Sequence, residues 1–218
     1  MIFDLDDTLL NRDEAVENIF TLILEKCYED VEHSAKKDML QKFKEYDKSC
    51  YGSNDKTKVL HSFYADFPPK HRLADHCIQD FWNECFPQCF PINNQVISII
   101  NTIKEEVKVA IITNGSTQRQ NAKIRNTRLH NCFETVVISE ETGFSKPDTR
   151  IFESVLEKLN VEPEDALFVG DDLYKDIGGS QNAGIKGIWF NPHKKKNDTD
   201  IKPYAEIHSL EELVEFLN

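Results

Sequence analysis

The sequence has no apolar run of the roughly 18 residues that a membrane-spanning helix requires, and its basic residues are outnumbered by its acidic ones. With 26 Lys and Arg against 38 Asp and Glu, the formal net charge is -12. Proteins that bind nucleic acid need a basic surface for the phosphates, so this class is disfavoured. A small phosphorylated ligand remains compatible, because one metal ion or a few local cations can reverse the sign of a pocket.

Met1-Ile2-Phe3-Asp4 shows no basic stretch followed by an apolar one, so we expect no secretion signal. We therefore expect a cytoplasmic location and reduced thiols for the six irregularly spaced cysteines. Cys85-x-x-x-Cys89 resembles half of a metal site, but no second Cys or His pair follows at zinc-site spacing. A structural role is favoured for these two thiols. Internal repeats and low-complexity segments are absent from the sequence as well.

Residues 12–90 have the periodicity of helices and contain no convincing strand. Four helices are predicted, over residues 13–28, 34–47, 56–67 and 72–86. In the fourth, the apolar face is predicted to consist of Leu73, Cys77, Phe81 and Cys85.

From residue 91 onward, short apolar runs alternate with helical segments. Strands are predicted over 107–112, 135–138, 166–169 and 187–190, with helices over 95–105, 149–159 and 176–183. Ser209-x-x-Glu212 predicts a capping box that opens a terminal helix. This alternation is typical of a parallel sheet covered on both faces, so the fold class is α/β.

Residues 1–4 are predicted to add one more short strand, which ends at Asp4. Residues 12–90 are then an insertion after the first strand, and the core comprises residues 1–11 and 91–218. Active sites in such sheets lie at the carboxyl ends of the strands. Because the insertion leaves the sheet at that edge, we expect it to cover the site as a helical cap.

Four short motifs follow predicted strands, and each one alone has an ordinary structural explanation. Asp4-x-Asp6 could simply end a strand, although two buried acids call for a cation such as Mg²⁺, and a carboxylate can act as a nucleophile in phosphoryl transfer. Thr113-Asn114-Gly115 could be a helix cap, or could offer a hydroxyl and backbone N–H groups to a phosphate. In Lys146-Pro147, the lysine could be an ordinary exposed side chain, or a cation that offsets the charge of a bound phosphate.

The fourth motif is Gly170-Asp171-Asp172-x-x-x-Asp176. The helix dipole favours an acidic N-terminus and explains one of these acids well. It explains three less well, since clustered carboxylates repel unless a metal ion lies among them. All four motifs fall at strand ends that converge in a parallel sheet, so the purely structural reading requires four coincidences.

Taken together, these motifs resemble the haloacid dehalogenase superfamily, in its branch with a helical cap after the first strand. The motifs stand in the family's order, as Asp4-Leu5-Asp6-Asp7-Thr8-Leu9, Thr113-Asn114-Gly115, Lys146-Pro147 and Gly170-Asp171-Asp172-Leu173-Tyr174-Lys175-Asp176. The resemblance implies a Rossmann-like parallel sheet under a helical cap. It covers the whole chain, but the motifs lie only in the core.

The resemblance also implies a role for each matched residue. Asp4 would be the nucleophile and Asp6 the general acid/base. Thr113 and the Asn114 backbone would bind the phosphoryl group, and Lys146 would bridge Asp4 and the phosphate. Mg²⁺ would be held by the Asp4 carboxylate, the Asp6 main-chain carbonyl and Asp171, with Asp172 and Asp176 acting directly or through water.

The resemblance therefore predicts a Mg²⁺-dependent phosphatase that acts on a small phosphorylated metabolite, such as a sugar phosphate, a nucleoside monophosphate or phosphoglycolate. Asp6 favours this activity over a 2-haloacid dehalogenase, because those relatives lack the second acid. A phosphomutase uses the same motifs and is the closer alternative. A non-enzymatic binding module predicts loss of Asp4, Asp6, Lys146 or Asp171, and all four are present. We expect a monomer or homodimer, with neither nucleic acid nor membrane as partner.

Overall fold

The computed structural model describes residues 1–217. Within this range the chain divides into two compact units, one of Met1–Asn11 with the chain from Ile92 onward, the other of Arg12–Pro91. Asn218, which belongs to the predicted core range, lies outside the described residues. A search of residues 1–217 finds no helix with both the length and the apolar character needed to cross a bilayer.

The first unit is built on a parallel sheet in which residues 1–217 contribute six strands, in the order β3-β2-β1-β4-β5-β6. The strands are β1 (Ile2–Phe3), β2 (Ala110–Thr113), β3 (Thr135–Ile138), β4 (Leu167–Gly170), β5 (Lys186–Phe190) and β6 (Ala205–Ile207). The sequence predicts all of them except β6. That strand is three residues long, and Ala-Glu-Ile is too short to show a pattern.

The central strands are apolar because helices cover both faces of the sheet. Ile111 and Ile112 of β2 and Phe168 and Val169 of β4 are completely buried. Phe168 meets Phe152 edge to face, with ring centroids 5.2 Å apart. The parallel α/β architecture is the one that the alternating pattern predicts.

The helices of this unit are α5 (Asn94–Glu106), α6 (Thr117–Asn126), α7 (Ser139–Thr142), α8 (Thr149–Leu159) and α9 (Gly179–Asn182). The helix predicted over 176–183 is preceded by a π-helical turn, Leu173–Gly178. It begins early because the Asp172 carboxylate accepts from the N–H groups of Tyr174 and Lys175. The predicted capping box at Ser209 and Glu212 is present, but it opens a 3₁₀ helix, Leu210–Phe216.

The second unit is helical, and residues 12–91, all of them described, contain no strand. Its helices are α1 (Arg12–Cys27), α2 (His33–Ser49), α3 (Thr57–Asp66) and α4 (Asp75–Cys85), followed by a 3₁₀ turn, Phe86–Cys89. Aromatic side chains form its core, where Phe43 contacts Phe20, Phe63 and Trp82. That this unit serves as a cap stays a prediction.

The predicted apolar face of α4 is wrong. Ile78 and Trp82 are completely buried, whereas Cys77 is exposed and Phe81 is only half-buried. Leu73 lies before the helix, which starts at Asp75. The helix is rotated by one residue because burying the Trp82 ring against Phe43 and Phe86 removes more apolar surface than burying Cys77 would.

Arg12, the first residue of α1, forms a buried ion pair within the helical unit. Its two terminal nitrogens lie 2.5 and 2.9 Å from the two carboxylate oxygens of Asp47 on α2. The guanidinium group also lies over the rings of Tyr51 and Phe86. This bidentate contact joins the start of α1 to the end of α2.

Candidate active site

The predicted motifs lie at the carboxyl ends of adjacent strands. Asp4 follows β1, Thr113 ends β2, and Asp171 follows β4, while β1 pairs with both β2 and β4. Parallel pairing places these three strand ends at the same edge of the sheet. The residues are distant in sequence and close in space because of the strand order.

The Lys146 ammonium group lies between two carboxylates. Its Nζ forms an ion pair with Asp4 and lies 2.7 Å from Asp176 Oδ1. All three side chains are buried. Burial lowers the pKa of Lys146, but the two carboxylates outweigh it and hold that pKa above its ordinary value. Lys146 is therefore a fixed positive charge beside Asp4.

Asn114 holds the main chain of Lys146 in place. Its Nδ2 donates to the Lys146 carbonyl oxygen, and its Oδ1 accepts from the Lys146 N–H, each at 2.9 Å. The peptide bond between Lys146 and Pro147 is cis. The amide of Asn114 thus satisfies both polar groups of one buried residue. The resemblance assigns the Asn114 backbone to phosphate binding, and this role of its side chain was not predicted.

Three carboxylates converge beside the lysine. Asp4, Asp171 and Asp176 each offer an oxygen, and the three oxygens lie within 4.8 Å of one another. Burial, reinforced by Asp176, raises the pKa of Asp4 to about 7 even though Lys146 opposes the rise. Burial and the neighbouring Asp4 and Asp176 raise the pKa of Asp171 to about 9.

This cluster has the donor set of a magnesium site. Three buried carboxylates next to one lysine leave excess negative charge, which a divalent cation would neutralise. Mg²⁺ prefers such oxygen ligands. Gly170 lets Asp176 approach, because a Cβ atom at Gly170 would lie only 2.5 Å from Asp176 Oδ2. The residues present therefore fit the predicted cation.

The two further acids of the fourth motif have different surroundings. Asp176 is buried, contributes an oxygen to the cluster and accepts from the N–H of Asp172 at 3.0 Å. The Asp172 carboxylate instead caps the helical turn that follows and lies 3.3 Å from Lys175 Nζ. Within residues 1–217, the carboxylate cluster consists of Asp4, Asp171 and Asp176 and does not include Asp172.

Asp6 is held by two residues of α6 that the sequence analysis missed. Lys123 Nζ lies 2.8 and 2.7 Å from the two carboxylate oxygens of Asp6. Gln120 Nε2 donates to Asp6 Oδ2 at 3.1 Å and to Thr113 Oγ1 at 2.5 Å. A signal was available, because Gln120 and Lys123 stand three residues apart just after Thr113-Asn114-Gly115 and so share one helix face.

The sequence matches the model of the haloacid dehalogenase-like hydrolases over residues 1–190, a range that contains every residue of this site. It is 32% identical to a glyceraldehyde 3-phosphate phosphatase of Pyrococcus furiosus, over 100% of this chain and 92% of that protein. It is also 37% identical to the pyrimidine 5'-nucleotidase YjjG of Escherichia coli, over 63% of this chain and 61% of that protein.

Two solved structures have the same overall fold as this chain. The HAD-hydrolase YfnB of Bacillus subtilis, solved with magnesium bound, superposes with a TM-score of 0.81 at 25% identity, covering 100% of this chain and 97% of that one. The L-2-haloacid dehalogenase of Xanthobacter autotrophicus has a TM-score of 0.75 at 14% identity, covering 99% and 96%. The latter is a likeness of fold alone. Together they confirm the predicted fold class.

Proposed function

Because the chain belongs to the haloacid dehalogenase-like hydrolase family, as its motifs predict, we propose that it is a Mg²⁺-dependent phosphatase of small phosphorylated metabolites. In this proposal Asp4 is the nucleophile and forms an aspartyl-phosphate. The observation that carries the proposal is the burial of Asp4 beside Lys146 and the carboxylates of Asp171 and Asp176. A buried carboxylate next to a fixed cation and a metal-binding cluster is suited to attack a phosphate dianion.

The carboxylates of Asp4 and Asp171 and the main-chain carbonyl of Asp6 would hold Mg²⁺, with Asp176 beside them. The bound ion would neutralise charge on the phosphoryl oxygens as a Lewis acid. Lys146 supplies a second positive charge from the protein itself. Asp176 keeps that lysine beside Asp4, since its carboxylate pairs with the same ammonium group.

In the first step, an Asp4 carboxylate oxygen attacks phosphorus as the bond from phosphorus to the leaving oxygen breaks. The Thr113 hydroxyl and the Lys146 ammonium group bind the phosphoryl oxygens. Asp6 gives its proton to the leaving oxygen, so that an alcohol departs rather than an alkoxide. In the second step, Asp6 accepts a proton from water as the water oxygen attacks phosphorus, and Asp4 is released with inorganic phosphate.

Asp6 argues for phosphoryl transfer over carbon–halogen displacement. A halide ion leaves without a proton, whereas an alkoxide needs one. Asp6 is present, and Lys123 and Gln120 hold its carboxylate at the same edge of the sheet as Asp4. A phosphomutase uses the same groups and differs in returning the phosphoryl group to the substrate instead of to water. Product analysis separates the two, since only a phosphatase accumulates inorganic phosphate.

Two relatives suggest the substrate class, because one is named a glyceraldehyde 3-phosphate phosphatase and another a pyrimidine 5'-nucleotidase. We therefore include triose phosphates, pyrimidine nucleoside monophosphates, other sugar phosphates and phosphoglycolate as candidates. A cytoplasmic location and one or two copies per assembly stay predictions.

The test is release of inorganic phosphate from p-nitrophenyl phosphate and then from a panel of these alkyl phosphates. We expect turnover with Mg²⁺, none in EDTA, and recovery when Mg²⁺ is restored. Undiminished turnover in EDTA contradicts the metal assignment. Absence of phosphate release from every ester, with Mg²⁺ present, contradicts the proposed function.

A further inference from the structure

We propose that Gln120 and Lys123 are positioning residues that hold the Asp6 carboxylate and the Thr113 hydroxyl in their working orientations. The inference rests on the proposed function and extends it to two residues outside the four family motifs. Both side chains belong to α6, and both are buried.

Lys123 is a buried cation that pairs with Asp6. Its side chain is only 5% exposed, and its Nζ reaches both oxygens of Asp6 across 117 positions of sequence. A buried ammonium group without a partner is strongly unfavourable, so the pairing limits the orientations that both side chains adopt. A protonated Asp6 keeps one carbonyl oxygen that can accept from Lys123, so the contact survives proton transfer.

Gln120 links Asp6 to Thr113 through one nitrogen atom. The orientation of its amide follows from chemistry, because an oxygen of Asp6 that carries no proton can only accept and therefore faces the NH₂ group. The same nitrogen lies 2.5 Å from Thr113 Oγ1. Thr113 is then the acceptor in that contact, and its own hydrogen is left to donate elsewhere. Gln120 thereby prepares Thr113 as a donor to a phosphoryl oxygen.

The backbone in front of α6 leaves room for this amide. A Cβ atom at Gly115 would lie 3.1 Å from the Cγ and Cδ atoms of Gln120 and would crowd them. Gly115 also has φ of 146°, which side chains disfavour. The glycine of the second motif thus permits the close approach of Gln120 to the strand end.

The contacts of Gln120 and Lys123 with Asp6 affect both proton transfers of the proposed reaction. In the first step, the proton of Asp6 moves to the leaving oxygen while the bond from that oxygen to phosphorus breaks and the bond from Asp4 to phosphorus forms. In the second step, a water proton moves to Asp6 while the water oxygen bonds to phosphorus and the Asp4–phosphorus bond breaks. Without Lys123, the Asp6 carboxylate would adopt the orientation needed for these proton transfers less often.

The experiment uses Lys123→Met, which removes the charge and keeps much of the side chain's volume. Arg125→Met is the matched control, because Arg125 is an exposed cation two residues further along α6. Each is measured by single-turnover kinetics with p-nitrophenyl phosphate and with the best alkyl phosphate of the substrate panel. A p-nitrophenolate ion leaves without a proton, whereas an alkoxide requires the proton of Asp6.

We expect Lys123→Met to slow leaving-group release from the alkyl phosphate by about tenfold or more, and release of p-nitrophenolate by much less. Arg125→Met should leave both rates unchanged. In an Asp6→Asn background, Lys123→Met should add little to the loss, because two residues that act through one group are not additive. Lys123→Arg, which restores a cation, should recover part of the rate.

Gln120→Leu is the second variant, with exposed Gln118→Leu as its control. We expect a raised KM for both substrates, because Thr113 loses the contact that orients its hydroxyl. This variant keeps the Lys123 ion pair, so it tests the inference even where Lys123→Met fails to fold.

The inference is overturned if Lys123→Met slows both substrates equally and slows the Asp6→Asn enzyme as much as the wild type, since Lys123 would then act only on the fold. It is also overturned if Lys123→Met and Gln120→Leu both behave like their controls. A wild-type chain that releases phosphate from neither substrate contradicts the proposed function itself, which is a different result.

Discussion

Asn114 and Lys146 exchange two hydrogen bonds across 32 positions of sequence, and this pair fixes the main chain of Lys146. The Asn114 amide meets the N–H and the carbonyl group of Lys146, while the Lys146 ammonium group reaches Asp4 and Asp176. The end of β2 therefore fixes the main chain of a loop that follows β3. The cationic neighbour of Asp4, the proposed nucleophile, is thus held by a residue from another motif.

Asn114→Ala should lower kcat/KM by about tenfold to a hundredfold, because Lys146 loses the contacts that hold its main chain. The change also leaves buried N–H and carbonyl groups without their partner, so the free energy of unfolding should fall by about 1–3 kcal/mol. Asn126→Ala, at an exposed position of α6, is the control. Steady-state kinetics and urea denaturation measure the two effects, and wild-type values for both would refute the positioning role of Asn114.

Much of this arrangement was predictable from the sequence. The first two strands are short apolar runs that lead to Asp4 and Thr113, and polar residues follow each run at once. Parallel pairing then brings these ends together. The resemblance implies that Lys146 bridges Asp4 and a phosphate; Lys146 pairs with Asp4 in the structure, and its role toward a phosphate stays a prediction.

Other features depend on information that a local pattern lacks. The rotation of α4 is decided by how Trp82 packs in three dimensions, which the spacing of Cys77 and Phe81 does not contain. The spacing of Gln120 and Lys123 places them on one helix face, but only the sheet shows that Asp6 lies beside that face. Strand β6 is a three-residue segment that is recognised only by its pairing with β5.

The carboxylate cluster should make stability in EDTA depend on pH. The folded-state pKa values of about 7 for Asp4 and about 9 for Asp171 lie above the ordinary aspartate value of 3.8. Between pH of about 4 and 9, Asp4 and Asp171 bind more protons in the folded chain than in the unfolded chain. Their contribution to the free energy of unfolding therefore falls as the pH rises through this range. The raised pKa of Lys146 does not oppose the trend, since that lysine is charged in both states throughout this window.

Added Mg²⁺ should counter the loss, because it binds the deprotonated carboxylates. Thermal denaturation at pH 6 and pH 8 measures the effect, and the Mg²⁺-induced rise in Tm should be larger at pH 8. Asp171→Asn removes one titrating group and should flatten the dependence in EDTA. A Mg²⁺ effect equal at both pH values would show that the cluster does not bind the ion as proposed. A slope in EDTA that Asp171→Asn leaves unchanged would show that Asp171 is not a source of the pH dependence.

The Arg12–Asp47 pair should stabilise the helical unit. Asp47→Ala leaves the guanidinium group of Arg12 buried without its carboxylate partner, which typically costs about 3–5 kcal/mol. Asp38→Ala removes an exposed acid from the same helix and should change the free energy of unfolding little. Urea denaturation compares the two variants. Equal effects would mean that the pair contributes no more than a surface charge does.

The most direct test of the account is rapid quenching of the reaction with radiolabelled p-nitrophenyl phosphate, followed by peptide mapping of the labelled chain. We expect an acid-stable, base-labile label on Asp4, in greater amount in Asp6→Asn because that variant lacks the base that activates water. Asp4→Asn should carry no label and should not turn over. A label on another residue, or turnover by Asp4→Asn at a rate close to the wild type, would contradict the central claim that Asp4 is the nucleophile.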